Sequence, residues 1–261
     1  MRFVEPEIFI LTQTKIVQEG LDDYLEFIGA SDWTTDAPSD VEAVPEIYGR
    51  ICYRSFKAGL NPNVTKIREG NEVYLDNIID VAHGSVTEHS IIGFIFVNVS
   101  RVFTHELVRH RVGVAISQES LRYVRLDNIP LWMPTVFAQH GEISQKARQL
   151  VLQMEEFQRY VTDYFKLDDP SIKFKAKKEI TSAMRRFVGD GVATSIGWSA
   201  NIRTIRHVLE LRTSPAAEEE MRLVFGKVGM LMMRRYPNLF SDYEVELIEG
   251  YPCFKTQNPK I

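Results

Sequence analysis

The fold is decided by the stretch IIGFIFVNVSRVFTHELVRHRVGVAISQESLRY, which spans residues 91–123. Its first part, residues 91–99, is rich in β-branched and aromatic residues and predicts a largely buried strand. Residues 101–111 have a helical pattern, and residues 116–126 predict a loop followed by a strand. The stretch therefore predicts a strand, a helix and a second strand in succession.

The segments upstream of this stretch predict one strand and several helices. A strand is predicted at residues 7–12, where the sequence is EIFILT. Helical periodicity predicts three helices: residues 17–28, 44–56 and 73–82. Pro45 falls in the first turn of the second helix, where its missing N–H is tolerated.

The segments downstream are mostly helical. Along residues 143–164 the apolar residues recur at alternating spacings of four and three, which predicts a long helix with one apolar face. Three further helices are predicted at residues 174–188, 201–211 and 214–235, and the one at residues 201–211 is short and amphipathic. Ser214 is the expected N-cap of the last helix, with Pro215 in its first turn. From residue 237 onward the chain is predicted to be irregular.

Together these elements predict an α+β fold in a single domain of residues 1–261, because the chain can bury one sizeable core. The sheet core is expected to be antiparallel or mixed, with a long helical pair from about residue 143 to 188 and additional helices. Gly189-Asp190-Gly191 lacks the third glycine of a dinucleotide-binding loop, so no Rossmann domain is expected.

Composition and charge exclude several classes of function. The net charge of −4 argues against a nucleic-acid-binding protein, which needs a basic face. No apolar run approaches the roughly 20 residues of a membrane span, and residues 1–7 lack a signal-peptide core. Cys52 and Cys253 lie far apart and match no disulfide framework or zinc site. We therefore expect a cytoplasmic protein without nucleic-acid, membrane or metal partners.

Basic side chains are concentrated at residues 108–123, VRHRVGVAISQESLRY. Guanidinium groups form forked hydrogen bonds to phosphate oxygens, and nearby hydroxyl and backbone donors would complete an anion site. On residue types alone the simpler interpretation is favoured, in which solvated cations offset the dipole at a helix end. A zinc-protease motif is excluded, because His105 and His110 are five residues apart and so lie about 140° apart around a helix.

This basic stretch resembles the signature of flavin-dependent thymidylate synthases, in which RHR is followed after about seven residues by S-x-R-Y. Here residues 109–111 are RHR and residues 120–123 are SLRY, with eight residues between them. HGSVTEH at residues 83–89 resembles the family's H-x-(S/P)-x-x-E-H, and residues 201–212 resemble its N-x-R…H/N…x-L-R block. Glu106 stands where glutamine is usual. Matching blocks run from about residue 45 to 235.

The resemblance implies a homotetrameric enzyme that binds FAD between its subunits. The residues that fall on the flavin side are His83, Arg109, His110, Arg111, Asn201, Arg203 and His207. Those that fall on the nucleotide side are Glu106, Ser120, Leu121, Arg122, Arg185 and Arg212. Considered without the resemblance, His83 and His89 are better interpreted as buried, hydrogen-bonded core histidines.

The resemblance also implies the reaction, a reductive C5 methylation of dUMP to dTMP. Methylenetetrahydrofolate would donate the carbon, and NADPH would reduce the flavin that carries the chemistry. Uracil C5 is a poor nucleophile, and Arg212 is the candidate for polarising the ring carbonyls. Ser120 is a weaker catalytic candidate, because no base is evident beside it. Cys52 is interpreted as a packed small hydrophobe and Cys253 as a tail residue, so no cysteine nucleophile is expected.

Three alternatives stay open. The substrate could be another pyrimidine nucleotide such as UMP, an alternative motivated by Glu106 and by the extra residue before Ser120. The arginine-rich segment could bind RNA without catalysis, or the chain could be a homologue that has lost activity. A visible spectrum with added FAD would separate the RNA-binding alternative, since a flavoprotein is yellow.

Overall fold

The computed structural model of the protein describes residues 1–126 and 128–259. The strands are β1 (Arg2–Phe3), β2 (Glu7–Gln13), β3 (Ile91–Ser100), β4 (Val114–Gln118), β5 (Pro130–Leu131), β6 (Ala193–Asn201), β7 (Glu244–Ile248) and β8 (Tyr251–Lys255). The larger sheet has the strand order β2-β3-β6-β4. A parallel pair joins β1 to β5, and an antiparallel hairpin joins β7 to β8.

The remaining elements are helical. The α-helices are α1 (Gln18–Phe27), α2 (Asp40–Tyr53), α3 (Asn71–Asp80), α4 (Arg101–Leu107), α5 (Thr135–Ala138), α6 (Gly141–Tyr164), α7 (Phe174–Met184), α8 (Ile202–Thr213), α9 (Glu219–Arg235) and α10 (Pro237–Phe240). Two 3₁₀ helices are described as well, Gly84–His89 and Arg185–Phe187. The long helix and the strand at residues 91–99 are therefore found close to their predicted bounds.

The chain divides into two compact units, and neither is one continuous segment. The first unit comprises Met1–Phe9, Ile95–His110 and Ile116–Trp198. The second comprises Ile10–Phe94, Arg111–Ala115 and Ser199–Ile261. The helices α6 and α7 belong to the first unit, whereas α8, α9 and the β7-β8 hairpin belong to the second. The single domain expected from the sequence stays a prediction.

The predicted place of Pro45 in a first helical turn is wrong. Since α2 begins at Asp40, Pro45 lies in the second turn and cannot donate to the Val41 carbonyl. The Ser90 hydroxyl donates to that carbonyl at 2.8 Å instead. The proline is tolerated because a side chain outside the helix replaces the missing donor.

Other predicted boundaries also change. Within residues 116–126 the strand β4 comes before the loop rather than after it. The helix α9 is capped by Glu218, whose carboxylate accepts the Glu220 N–H at 2.8 Å, and Ser214 ends α8 instead of starting α9. The segment after residue 237 is not irregular, because it forms α10, β7 and β8.

Strand β6 was missed by sequence patterning. Its residues alternate between buried and half-buried positions, and Ile196 and Trp198 are both fully buried. The strand is built largely from small residues, ATSIGWSAN, and lacks the β-branched run that identifies β3. Its burial depends on neighbouring strands that local sequence does not specify.

The predicted apolar face of α6 is only partly buried, with Met154 packed against the core cluster that contains Val151. Leu150 is 54% exposed and Tyr164 is 69% exposed, although both belong to the predicted apolar face. The buried positions of this helix are Val151, Glu155, Gln158 and Thr162. The helix α6 therefore exposes large apolar side chains to solvent.

Candidate functional site

A cavity of about 230 Å³ lies beside α4 in the first compact unit. We call it the arginine pocket and define it by Arg101, His105, Leu121, Arg185, Arg186 and Asp190, which line it. Three guanidinium groups face one carboxylate in this space, so the pocket has an excess of positive charge. Guanidinium groups bind carboxylate and phosphate oxygens through paired hydrogen bonds, which makes this pocket suited to an anion.

Arg101 is the most enclosed of the three arginines of the pocket. Its Nη2 donates to the Glu119 carbonyl at 3.2 Å, but its buried Nε has no hydrogen-bond partner among the described residues. Burial lowers the pKa of Arg101 and the charge of Arg185 lowers it further, while Glu119 and Asp190 act in the opposite direction. A half-buried cation with a buried, unused donor is stabilised when an anion binds beside it.

Backbone and capping contacts hold the pocket together. Ser100 caps α4, since its Oγ accepts the Phe103 N–H at 3.1 Å. Arg101 and His105 lie four residues apart on this helix and so project to the same side. The Val102 N–H donates to the Asp190 carbonyl at 3.2 Å, which fixes the segment after the 3₁₀ helix Arg185–Phe187 against the first turn of α4.

Two of the predicted nucleotide-side residues, Leu121 and Arg185, meet at the arginine pocket. Ser120 and Arg122 flank Leu121, and the Ser120 Oγ accepts the Arg122 N–H at 3.3 Å. Glu106 is half-buried on α4 but does not line the pocket.

Sequence reasoning did not assign a site role to three of the lining residues: Arg101, His105 and Arg186. For the first two, the available signal was their spacing of four on a predicted helix beside the basic stretch. Arg186 follows an arginine that was predicted, but nothing in the sequence indicates that both line the same cavity.

Most of the other predicted ligand residues belong to the second compact unit. They are His83, Arg111, Asn201, Arg203, His207 and Arg212, whereas Arg109 and His110 belong to the first unit. Arg203 and His207 are four residues apart on α8, on a side with solvent exposure. The Arg203 guanidinium donates to the Glu88 carboxylate at 2.6 Å, which joins α8 to the 3₁₀ helix Gly84–His89.

Asn201 fixes the start of α8. Its Oδ1 accepts the Thr204 N–H at 2.9 Å, and its own N–H donates to the Gly113 carbonyl at 3.0 Å. Gly113 has a φ of +67°, and a Cβ there would lie 2.4 Å from the Asn201 Nδ2. Only glycine fits this close approach without strain, and the contact ties the segment after Arg111 to the first turn of α8.

His83 and His89 are not buried, hydrogen-bonded core histidines. His89 is exposed and stacks on Tyr48 of α2, with ring centroids 3.7 Å apart and planes at 4°. His83 is half-buried and contacts the edge of Tyr53, and its buried Nδ1 has no hydrogen-bond partner within the described chain. His83 therefore has a buried polar atom that no group of the described chain uses.

The environments of the two cysteines correct the sequence interpretation. Cys52 is exposed at the end of α2 and is not a packed hydrophobe, whereas Cys253 is buried in strand β8 and does not lie in an irregular tail. Across residues 1–126 and 128–259, no three His, Cys, Asp or Glu side chains are grouped to hold a metal ion. No helix in the same residues is long and apolar enough to cross a membrane.

The α+β fold of this chain is shared by two solved structures. One is Thymidylate Synthase X (ThyX) from Helicobacter pylori with FAD and dUMP, at a TM-score of 0.57 and 19% identity, covering 91% of this chain and 98% of that chain. The other is the UMP/dUMP methylase PolB from Streptomyces cacaoi with 5-Br dUMP, at 0.61 and 15%, covering 92% and 95%. These likenesses confirm the predicted α+β fold without a Rossmann domain.

The family model described as "Thymidylate synthase complementing protein" (Thy1) matches residues 35–238. The flavin-dependent thymidylate synthase of Mycobacterium marinum is 32% identical over 229 residues, which is 84% of this chain and 87% of the relative. That of Corynebacterium glutamicum is 30% identical over 223 residues, covering 83% and 85%. The chain belongs to the Thy1 family of flavin-dependent thymidylate synthases, which are methyltransferases, and the predicted family is confirmed.

Proposed function

We propose that the protein methylates C5 of dUMP to give dTMP, using methylenetetrahydrofolate as carbon donor and NADPH as reductant. The observation that carries this proposal is the arginine pocket, where the buried Arg101 Nε lacks a partner among the described residues. A nucleotide phosphate would supply an acceptor oxygen for this unused donor. The Mycobacterium marinum and Corynebacterium glutamicum relatives are named flavin-dependent thymidylate synthases, which supports a thymidylate-forming reaction.

The phosphate would be bound from several chain segments. Ser120, Leu121 and Arg122 contribute the loop side, and Arg101 and Arg185 contribute guanidinium groups. Glu106 is proposed to lie on the nucleotide side as well. Because the phosphate is remote from C5, these residues bind and orient the substrate and should affect KM more than kcat.

The residues proposed to hold FAD are His83, Arg109, His110, Arg111, Asn201, Arg203 and His207. Arginines suit the pyrophosphate, and the unused Nδ1 of His83 suits a polar atom of the ring or ribose. When bound, the flavin supplies the relay of the one-carbon unit and the hydride that completes the methyl group.

Arg212 is the proposed catalytic residue. It is half-buried in the last turn of α8, where the negative end of the helix dipole favours a fixed cation. Its guanidinium would stabilise negative charge on a uracil carbonyl as C5 becomes nucleophilic. Ser120 stays the weaker catalytic candidate, and a cysteine nucleophile is not part of the proposal.

We further propose a cytoplasmic homotetramer with FAD sites shared between subunits. Support comes from the end of α6, where the exposed rings of Tyr160, Tyr164 and Phe165 contact one another, with centroids 6.2 and 5.0 Å apart. Contiguous apolar surface on a globular protein is typical of an interface. A fully active monomer in solution would contradict this part of the proposal.

The test is a spectrum followed by an activity assay. The purified protein should be yellow or become so with FAD, and it should convert dUMP to dTMP only with both methylenetetrahydrofolate and NADPH. A colourless protein that ignores FAD and binds RNA would replace the proposal with a non-catalytic one. A protein that binds FAD but neither oxidises NADPH nor forms product would be an inactive homologue.

UMP is the second candidate substrate, favoured by the likeness to PolB, which is named as a UMP/dUMP methylase. Parallel assays with dUMP and UMP decide between them. A higher kcat/KM for UMP than for dUMP would reassign the substrate while leaving the methylation chemistry in place.

A further inference from the structure

The chain continues past the family match, which ends at residue 238, and the following segment packs on α8. Near the middle of α8 the contact is polar. Arg206 is fully buried and pairs with both carboxylate oxygens of Asp242 at 2.8 and 2.7 Å. The Tyr243 hydroxyl donates to the Arg206 carbonyl at 2.9 Å. This part of α8 is therefore fixed by residues that lie outside the family match.

The last turn of α8 is held by the β7-β8 hairpin. Thr213 is fully buried, and its hydroxyl donates to the Leu209 carbonyl at 2.7 Å. The same oxygen accepts the Phe254 N–H of β8 at 2.9 Å. Thr213 directly follows Arg212, so the backbone of the proposed catalytic arginine is tied to the hairpin one residue away.

The hairpin itself is seated in a groove on α9. A Cβ at Gly229 would lie 2.3 Å from the Phe254 ring, and one at Gly226 would lie 3.1 Å from Pro252. The Arg222 guanidinium donates to the Ile248 carbonyl at 2.7 Å. The absence of a side chain at Gly226 and Gly229 therefore leaves the room that Pro252 and Phe254 of the hairpin fill.

We propose that the β7-β8 hairpin, acting through Thr213, is a positioning element that holds Arg212 in its working place. The last carbonyls of a helix lack helical partners, and a terminal turn frays unless something else fixes it. Here β8 fixes that turn through one side-chain oxygen. The inference rests on the proposed function, in which the Arg212 guanidinium stabilises charge on uracil.

The test variant is Thr213→Val, which keeps the shape of the side chain and removes its hydroxyl. We expect kcat with dUMP to fall roughly tenfold, the scale of one lost hydrogen bond, with FAD absorbance retained and KM changed less than threefold. Thr213→Ser keeps the hydroxyl and should restore kcat. Leu247→Ala is the matched control, since Leu247 lies on the same hairpin but is 73% exposed.

A double-mutant cycle separates positioning from general structural damage. In an Arg212→Ala background, Thr213→Val should cause no further loss of kcat. The same tenfold loss in both backgrounds would overturn the inference, because Thr213 would then act independently of Arg212. If Thr213→Val does not fold, Gly226→Ala crowds Pro252 more mildly and is measured in the same cycle.

Failure of the proposed function gives a different result. If Arg212→Ala leaves kcat unchanged, the catalytic role of Arg212 is wrong and the inference falls with it. If Arg212→Ala lowers kcat but neither Thr213→Val nor Gly226→Ala does, the role of Arg212 stands and only the hairpin inference is wrong.

Discussion

Replacing Arg101 by alanine should weaken nucleotide binding more than it changes turnover. Arg101 presents a buried Nε without a partner in the described chain, and its Nη2 is only weakly engaged by the Glu119 carbonyl at 3.2 Å. One charge-assisted hydrogen bond to phosphate contributes about 1.5–3 kcal/mol. At 1.4 kcal/mol per factor of ten, the KM for dUMP should rise about 10- to 100-fold.

The assay is steady-state kinetics over a wide dUMP range, with FAD absorbance and the denaturation midpoint measured on the same samples. Arg101→Lys keeps the charge without the forked donors and should give an intermediate KM. Arg125→Ala is the matched control, because Arg125 pairs with the exposed Asp168 and does not line the pocket. An unchanged KM in Arg101→Ala, or one raised equally in Arg125→Ala, would refute phosphate binding in the arginine pocket.

Three further predictions address other residues. Arg122→Ala should raise the KM for dUMP roughly tenfold or more, whereas Arg212→Ala should also lower kcat. FAD absorbance should survive in both variants. Loss of flavin from Arg122→Ala at unchanged nucleotide affinity would mean that the flavin-side and nucleotide-side residues are wrongly assigned. Cys52→Ser and Cys253→Ser should each retain activity, and a folded variant with a turnover loss above about a hundredfold would reveal a missed nucleophile. Burial raises the pKa of Glu42 above its ordinary 4.5, so the folded chain binds the proton of this carboxyl group more tightly than the unfolded chain does. The stability that this protonation contributes is lost as pH rises from 4.5 through the raised pKa. In denaturant titrations, the free energy of unfolding of Glu42→Gln relative to the protein with Glu42 should therefore be more favourable at pH 7 than at pH 4. A difference between the two proteins that does not depend on pH would contradict the raised pKa.

Hydrophobic patterns correctly predicted the strands and helices that have a clear local signal in the sequence. The β-branched run of β3 and the periodicity of α6 each identify one structure over many residues, so their bounds are close to those observed. Strand β6 has no such run, because it is built from small residues whose burial comes from neighbouring strands. The start of α9 was misplaced for a related reason. Ser214 and Glu218 can both cap a helix, and only the packed structure selects Glu218.

The candidate site was predictable as a set of residue types but not as an arrangement. Leu121 and Arg185 are 64 residues apart and line one cavity, a proximity that neither periodicity nor motif spacing contains. Arg101 and His105 enter the same cavity because the Val102 N–H binds the Asp190 carbonyl, which is again a tertiary contact. Motif spacing therefore finds the loop that contains Leu121, and packing decides which arginines converge beside it.

Asn201 illustrates how a residue that matches a family motif can serve the fold as well as a ligand. Its Oδ1 caps α8 and its N–H fixes Gly113, two residues after the RHR stretch ends. A substitution here would release the first turn of α8 and the segment after Arg111 together. Loss of flavin from an Asn201 variant would then follow from either lost contacts or lost positioning of Arg111. Asn201→Asp separates the two, because it keeps the capping oxygen while replacing the Nδ2 donor. If Asn201→Asp keeps its stability but binds FAD more weakly, Asn201 contacts FAD directly. If it keeps both its stability and its affinity for FAD, Asn201 acts only as a helix cap.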